Sequence, residues 1–199
     1  YFNNGEGSLQ VYDPTENALR DFPARMPGEE IRRATGPDPA GRMYGVTLDE
    51  HTLFALDPRA QTIEVLAELW SQTATLGVDP NGRYLYYVAG SNESDTDGTQ
   101  IVQVDLEDDA AQKVIAFLDR VILEEFGYRV GRTAASRLSP VDSYNLTLSD
   151  DGRRLHVALN GTMAVSGLER AALIVVHIPQ GECPRGLPVA IGSTPLGAE

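Results

Sequence analysis

The sequence predicts an all-β fold in which four-stranded antiparallel units follow one another as the blades of a β-propeller. One phrase closes a strand with an aspartate, as in Val11-Tyr12-Asp13 and Ala55-Leu56-Asp57. A second phrase, Asp79-Pro80-Asn81-Gly82-Arg83 in its clearest copy, makes a turn and opens a strand. The closing aspartates Asp13, Asp57 and Asp105 are 44 and 48 residues apart. Internal periods of about 40 to 50 residues with strand patterning indicate propeller blades.

The unit at 71–118 shows the order of four strands most completely. A small, apolar innermost strand at 72–78 leads into a turn in which Gly82 supplies the positive φ that tight turns need. Three further β-rich stretches follow at 83–89, 101–105 and 113–118.

The neighbouring units repeat this order. The unit at 29–67 has predicted strands at 31–35, 43–48, 52–57 and 62–66. The stretch 8–28 holds only the second half of a blade, with strands at 8–13 and 18–22. The unit at 142–190 has strands at 144–148, 154–159 and 172–178, and its Pro- and Gly-rich tail leaves a fourth strand open. Aligned on the turn glycine, His156 of this unit corresponds to Tyr86 and Gly45.

These units form a single domain over 1–199 and amount to about three and a half to four blades, whereas closed propellers usually have about four to eight. Two explanations fit. The chain is part of a larger ring of about six to eight blades, completed by another chain or by a missing part of the same chain, or it closes as a small four-bladed ring. We favour the larger ring, whose bare strand edges would make a partner obligatory.

An insertion at 119–141 interrupts the blade rhythm. Within the whole excursion, 110–138, apolar residues at 117, 118, 121, 122 and 126 have the spacing of one helix face. Insertions of this kind emerge on one face of a propeller, where this one either caps the channel, meets a partner or packs without a role of its own.

The acidic composition restricts the possible partners. A net charge of −13, from 29 acidic against 16 basic residues, argues against binding to nucleic acid and to anionic membrane surfaces. No run of about 18 apolar residues is present, so membrane insertion is not expected. Cys183 is the single cysteine, so an internal disulfide is excluded.

Few residues have the spacing of a metal or catalytic site. No two of the three histidines share a metal-ligand spacing such as His-Glu-x-x-His, and Gly-x-Ser-x-Gly is absent. The loop at 92–98 places Asp95 and Asp97 at alternate positions, as calcium loops do, but it lacks the downstream bidentate glutamate. A solvated hairpin tip is the preferred interpretation, so no cofactor is predicted and calcium is the one candidate ion.

Polar residues at the starts of innermost strands converge on a propeller's axis, and they are the candidate ligand-binding residues on the channel face. An arginine there would clamp an anionic substrate, and Asp142 would act as a base or metal ligand. The alternative is ordinary channel lining. The candidates are Arg32, Arg33, Gln72, Asp142, Ser143, Tyr144 and Asn145.

The stretches 144–158 and 75–88 resemble the repeat of bacterial YVTN-type and gluconolactonase-like propellers. In the gluconolactonase-like enzymes, an Asn or Asp just ahead of this phrase holds a divalent metal at the channel. The matching positions here are Tyr144 and Ala74, neither of which is a hard-cation ligand. Asn145 or Asp142 would replace them if the strand register shifts. The departure argues against metal-dependent lactone hydrolysis.

Function resides in the site rather than in the fold, so the resemblance predicts architecture first. We expect a noncatalytic module of a bacterial protein that mediates protein or ligand binding over the channel face. The resemblance implies a periplasmic or secreted location, with a cytoplasmic one left open. The alternative is a propeller enzyme, either a hydrolase or lyase of the gluconolactonase-like type or the heavy subunit of a periplasmic dehydrogenase.

Overall fold

The computed structural model describes residues 2–3, 7–28, 30–89, 100–117, 138–163, 169–178 and 191–194. Several of the expectations above lie outside these residues: the loop with Asp95 and Asp97, the helical spacing beyond residue 117, and Cys183. None of the described residues forms a helix long and apolar enough to cross a membrane.

The described residues form four antiparallel sheets, which we call blades 1 to 4, and in each of them strands adjacent in sequence pair with one another. Blade 1 contains β1 (Phe2–Asn3), β2 (Leu9–Asp13) and β3 (Ala18–Asp21). Blade 2 contains β4 (Ile31–Ala34), β5 (Met43–Thr47), β6 (Thr52–Asp57) and β7 (Thr62–Glu68). Blade 3 contains β8 (Gly77–Val78), β9 (Tyr84–Ala89), β10 (Gln100–Asp105) and β11 (Ala111–Phe117). Blade 4 contains β12 (Leu138–Leu148), β13 (Arg154–Met163), β14 (Glu169–His177) and β15 (Ile191–Thr194).

The described residues confirm the prediction of an all-β fold built from antiparallel sheets. Blades 1 and 4 contain strands that differ from the predicted ones. Blade 1 has three strands where the sequence predicted two, because Phe2 and Asn3 pair with Gln10 and Leu9. The tail after blade 4 supplies β15, which pairs with β14. β12 is longer than the predicted strand at 144–148, since two bulges allow its pairing with β13 to continue back to Leu138.

The blades stack face to face through three apolar layers. Alternation along a strand sends successive side chains to opposite faces, so blades 2 and 3 bury apolar residues on both. Phe54 faces blade 1 while its neighbour Leu53 faces blade 3. In the same way Tyr87 packs toward blade 2, and Tyr86 toward blade 4.

In blades 1 and 2 the closing aspartates fix the turn that leads into the last strand. In blade 1, Asp13 Oδ1 accepts the backbone N–H groups of Thr15 and Glu16 at 2.9 and 3.3 Å. Asp57 in blade 2 does the same with Arg59 and Ala60. These backbone donors hold the pKa of both carboxyls below the ordinary value. The repeated aspartate is therefore explained by turn formation.

Blade 3 departs from the predicted innermost strand at 72–78, because only Gly77 and Val78 pair as a strand. Ahead of them, threonine hydroxyls take the place of backbone carbonyls. Thr75 Oγ1 accepts the N–H of Val88 at 2.9 Å, and Thr73 Oγ1 accepts the N–H of Thr75 at 3.1 Å. Both threonines are buried, so these side chains satisfy backbone donors that a regular ladder would pair.

Replacing Thr75 with valine keeps the shape of the side chain and removes the acceptor for Val88 N–H. An unsatisfied buried donor costs about 1 to 3 kcal/mol, and we expect a loss of unfolding free energy in this range. Thr62→Val, at an exposed position of β7, is the control and should change it by less than about 0.5 kcal/mol. Urea unfolding of the two variants measures the difference, and equal midpoints would show that the hydroxyl is not needed.

Candidate functional site

A cleft of about 610 Å³ lies where the first strands of blades 2, 3 and 4 approach one another. Three segments line it, each made of a first strand and the turn after it. They are 33–39, 76–80 and 145–150. β12 also contacts β8 directly. The cleft therefore lies on the side of blades 2 to 4 where their first strands converge.

One end of the cleft is formed by Arg33 and Asn145, which belong to different blades. Arg33 Nη2 donates to Asn145 Oδ1 at 2.8 Å, and this oxygen also accepts the N–H of Leu146 at 3.0 Å. Both residues directly follow a β-bulge, between Ile31 and Arg33 in β4 and between Ser143 and Asn145 in β12. Because bulges re-aim side chains, they account for the meeting of these two groups across the cleft.

The other end of the cleft is acidic, and Asp38 is enclosed there, with 1% of its side chain exposed. Oδ1 accepts the backbone N–H groups of Ala40 and Arg42 at 2.8 and 2.9 Å. Oδ2 accepts the Tyr44 hydroxyl at 3.0 Å and Arg42 Nε at 3.1 Å. Burial by itself raises the pKa of Asp38, but these bonds outweigh it and hold the pKa below 3.8. Burial, together with the bond to Asp38, raises the pKa of Tyr44 to about 12.

Asp79 occupies the same position in blade 3. Its Oδ1 accepts the N–H groups of Arg83 and Tyr84, both at 2.7 Å, and Oδ2 accepts the N–H of Asn81 at 3.3 Å. In blade 4, Ser149 Oγ accepts the N–H of Arg154 at 3.0 Å. These acceptors hold the turns closed.

The turns that carry these acceptors touch each other around the cleft. Gly82 has a φ of +74°, and a Cβ there would lie 3.3 Å from Asp38 Cβ and Pro39 Cδ. Gly152 has a φ of +66°, and a Cβ there would lie 3.2 Å from Pro80 Cδ. Glycine at these two positions therefore allows the positive φ of the turn and also leaves room for the turn to pack against the preceding blade.

The structure brings two of the seven predicted channel-face residues, Arg33 and Asn145, together. Arg32 is exposed in β4 and is not among the residues that line the cleft. Gln72 lies outside the cleft lining and donates to the carbonyl of Leu48 at 3.3 Å. Ser143 is buried within β12 and does not line the cleft.

The remaining two candidates, Asp142 and Tyr144, are placed by their backbone alone. Asp142 pairs with Asn160 of β13, and Tyr144 falls in the bulge before Asn145. Their side chains lie outside the described part of the structure. Among the side chains that are described, no three histidine, cysteine or acidic residues are grouped to hold a metal ion.

Sequence reasoning missed Asp38, Asp79 and Ser149. Each lies three residues before the turn glycine, and in each case its backbone carbonyl accepts the glycine N–H at 2.8 or 2.9 Å. That fixed offset was the available signal. The sequence phrase predicts the turn through its glycine, and it assigns no role to the acceptor at its start.

The stacked antiparallel sheets, three of them four-stranded, and the cleft at their converging first strands define a β-propeller fold, and solved β-propeller structures superpose on it. Hydrazine synthase of Kuenenia stuttgartiensis superposes with a TM-score of 0.67 at 11% identity, over 98% of this chain and 50% of that one. The nidogen/laminin complex gives a TM-score of 0.52 at 9% identity, over 85% of this chain and 64% of that one. The chain therefore spans about half the length of the first of these structures.

No protein-family model matches the sequence, and no curated protein does. Identities of 9 and 11% show the fold alone. The likeness to YVTN-type and gluconolactonase-like repeats thus remains a prediction from the sequence.

Proposed function

We propose that this chain is a noncatalytic β-propeller module that binds a protein or other ligand over the channel face. The observation that supports this is the cleft itself, where Arg33 of blade 2 and Asn145 of blade 4 are joined at 2.8 Å. A polar pair held between blades provides a fixed feature for a ligand to recognise.

The two enclosed carboxylates of the cleft, Asp38 and Asp79, favour binding over proton chemistry. Asp38 accepts four hydrogen bonds and Asp79 accepts three, all from the turn that follows each aspartate or from the strand after that turn. A general base needs an oxygen within reach of a substrate proton, and these oxygens are already occupied. The described residues offer no observation that favours the enzyme alternative.

We further propose that additional blades complete the ring, from another chain or from more of the same chain. Tyr12 and its cross-strand partner Leu19 are 44% and 57% exposed on the face of blade 1 that turns away from blade 2. Counted from the closing aspartate, Tyr12 corresponds to Leu56, which is 5% exposed because blade 1 covers it. A further blade would cover Tyr12 and Leu19 in the same way. A periplasmic or secreted location is proposed from the sequence resemblance.

Denaturing and native mass spectrometry of the natively purified protein test the completed ring. We expect a polypeptide heavier than 21.6 kDa, or a second chain that stays bound. A stable, folded monomer at 21.6 kDa would contradict ring completion and favour a four-bladed ring.

Site-specific photo-crosslinking tests binding over the channel face. The crosslinking amino acid is placed at Thr147, which is exposed and lines the cleft, and at Glu64, which is exposed on β7. We expect the natively purified protein to form a crosslinked adduct from position 147 and not from position 64. Equal adducts from both positions would count against a channel-face site.

A further inference from the structure

We propose that the cleft recognises a carboxylate, which is held by the guanidinium of Arg33. This inference rests on the proposed function and specifies the chemistry of its ligand. The carboxylate belongs either to a free organic acid or to an acidic side chain of a peptide, and the experiment below separates the two.

The first observation is that Arg33 has no carboxylate partner within the described structure. Arg42 pairs with Asp38 at 3.1 Å and Arg83 with Asp105 at 3.0 Å. Arg33 is partly buried, yet its recorded hydrogen bond goes to the neutral amide of Asn145. In a chain with 29 acidic and 16 basic residues, a partly buried guanidinium without an acid is unexpected.

The second observation is the burial of Arg33 Nε, which has no hydrogen-bond acceptor among the described residues. Burying a cationic group without full pairing opposes folding, and such groups in native proteins call for an explanation. A bound anion at the outer nitrogens would offset this cost. The planar fork of donors on arginine matches the two oxygens of a carboxylate.

The third observation is that Arg33 is fixed before any ligand arrives. Its partner oxygen on Asn145 is itself held by the N–H of Leu146, and bulges precede both side chains. A pre-positioned guanidinium loses little side-chain entropy on binding, so more of the interaction appears as affinity.

The acidic end of the cleft limits the ligand to one carboxylate at the Arg33 end. Asp38 lies five residues beyond Arg33, and Asp150 lies five residues beyond Asn145. Five residues of extended chain span up to about 16 Å, so the acidic side chains are well separated from the Arg33 end. Asp79 lies in the same acidic region of the lining. A second negative charge there would be repelled, so a polyanion fits poorly and an elongated monocarboxylate fits well.

The test is a titration of the ¹⁵N-labelled full protein with N-acetylglycine as a free carboxylate and with the peptide Ac-Ala-Ala-Glu-Ala-Ala-NH₂ as an acidic segment. N-acetylglycinamide is the uncharged counterpart. We expect saturable shifts of the Arg33 Nε–H and Asn145 side-chain resonances with at least one carboxylate probe and none with the amide. The probe that binds more tightly identifies the source of the carboxylate.

Arg33→Gln should weaken binding about tenfold or more, since it removes a charge-assisted hydrogen bond. Arg33→Lys keeps the positive charge but loses the planar pair of donors, so its affinity should fall between those of the unmodified protein and Arg33→Gln. Arg59→Gln, at an exposed position outside the cleft, should bind as the unmodified protein does. Thermal unfolding confirms that each variant is folded.

Unchanged affinity in Arg33→Gln, or equal binding of the amide, would overturn the proposal. A crosslinked adduct from position 147, combined with no response of the resonances to either carboxylate, would overturn the carboxylate proposal and leave the proposed binding module in place. If neither the adduct from position 147 nor a response to a carboxylate is seen, the result would count against the binding module as well.

Discussion

Replacing Gly45 with alanine is expected to destabilise the protein by about 3 kcal/mol, at the upper end of ordinary overpacking. A Cβ at this position would lie 2.3 Å from Cζ of Phe54 and 2.9 Å from its two Cε atoms. The ring cannot move freely, because Phe54 is buried in the layer between blades 1 and 2. Urea unfolding followed by circular dichroism measures the loss.

Gly36→Ala is the matched control for this prediction. A Cβ at Gly36 would meet no atom within 4 Å, and its backbone is not in the left-handed region, so we expect a change within about 0.5 kcal/mol. Shortening Phe54 supplies the second test. In Gly45→Ala/Phe54→Ala the clash is absent, so the double variant should lose less stability than the sum of the single ones. Additive losses, or a Gly45 variant as stable as the Gly36 control, would refute the clash.

Gly45 also shows where the repeat could be predicted from sequence and where it could not. The turn glycine aligned His156 with Tyr86 and Gly45, and this alignment is wrong by one residue in blade 2. Tyr44 pairs with Ala55 and Tyr86 with Gln103, each two residues before the closing aspartate. Tyr44 is therefore the equivalent of Tyr86.

The cause is a shorter turn in blade 2. There the N–H of Asp38 donates to the carbonyl of Arg42, four residues on, whereas the N–H of Asp79 donates to that of Tyr84, five residues on. The register is set by strand pairing, because pairing keeps the same side chains in the layers between blades. The one-residue difference in length therefore falls in the turn. A pattern of phrases gives the number and order of strands, but it does not reveal a one-residue change in a turn.

The sequence likewise predicts the candidate site only in part: it predicts which strands carry the residues but not which side chains meet. Arg33 and Asn145 were expected on the channel face because they lie near the starts of innermost strands. Their meeting depends on two bulges that no residue pattern announced. The burial of Asp38 depends on Gly82 and its turn in the next blade, so it is a property of packing between blades that a single turn phrase cannot reveal.

Removing the Asp38 carboxylate is expected to have the second large effect. Asp38→Ala leaves the Tyr44 hydroxyl and the N–H groups of Ala40 and Arg42 without their acceptor. Lost bonds to a buried charged acceptor should reduce the unfolding free energy by about 3 kcal/mol. Asp38→Asn keeps the Oδ1 acceptor and loses the charge opposite Arg42, so its loss should be smaller.

The pH dependence of that loss identifies its source. The pKa of Asp38 in the folded protein is below its ordinary value of 3.8, so the unfolded chain takes up the proton first as the pH falls. The stabilisation is complete above about pH 5 and disappears as the pH falls through the folded pKa. Unfolding temperatures of the unmodified protein and Asp38→Asn should therefore differ most at pH 7 and converge toward pH 3.

Asp150→Asn, which removes an exposed carboxylate from the same cleft, is the control and should shift the unfolding temperature little at either pH. A gap between the unmodified protein and Asp38→Asn that stays constant from pH 7 to pH 3 would show that shape, rather than the ionised carboxylate, holds the turn. A gap at pH 7 that closes toward pH 3 for Asp38→Asn, together with no gap at either pH for Asp150→Asn, would establish that the charge on Asp38 maintains this end of the cleft, because Asp38 is the buried carboxylate bound to Arg42 and Tyr44.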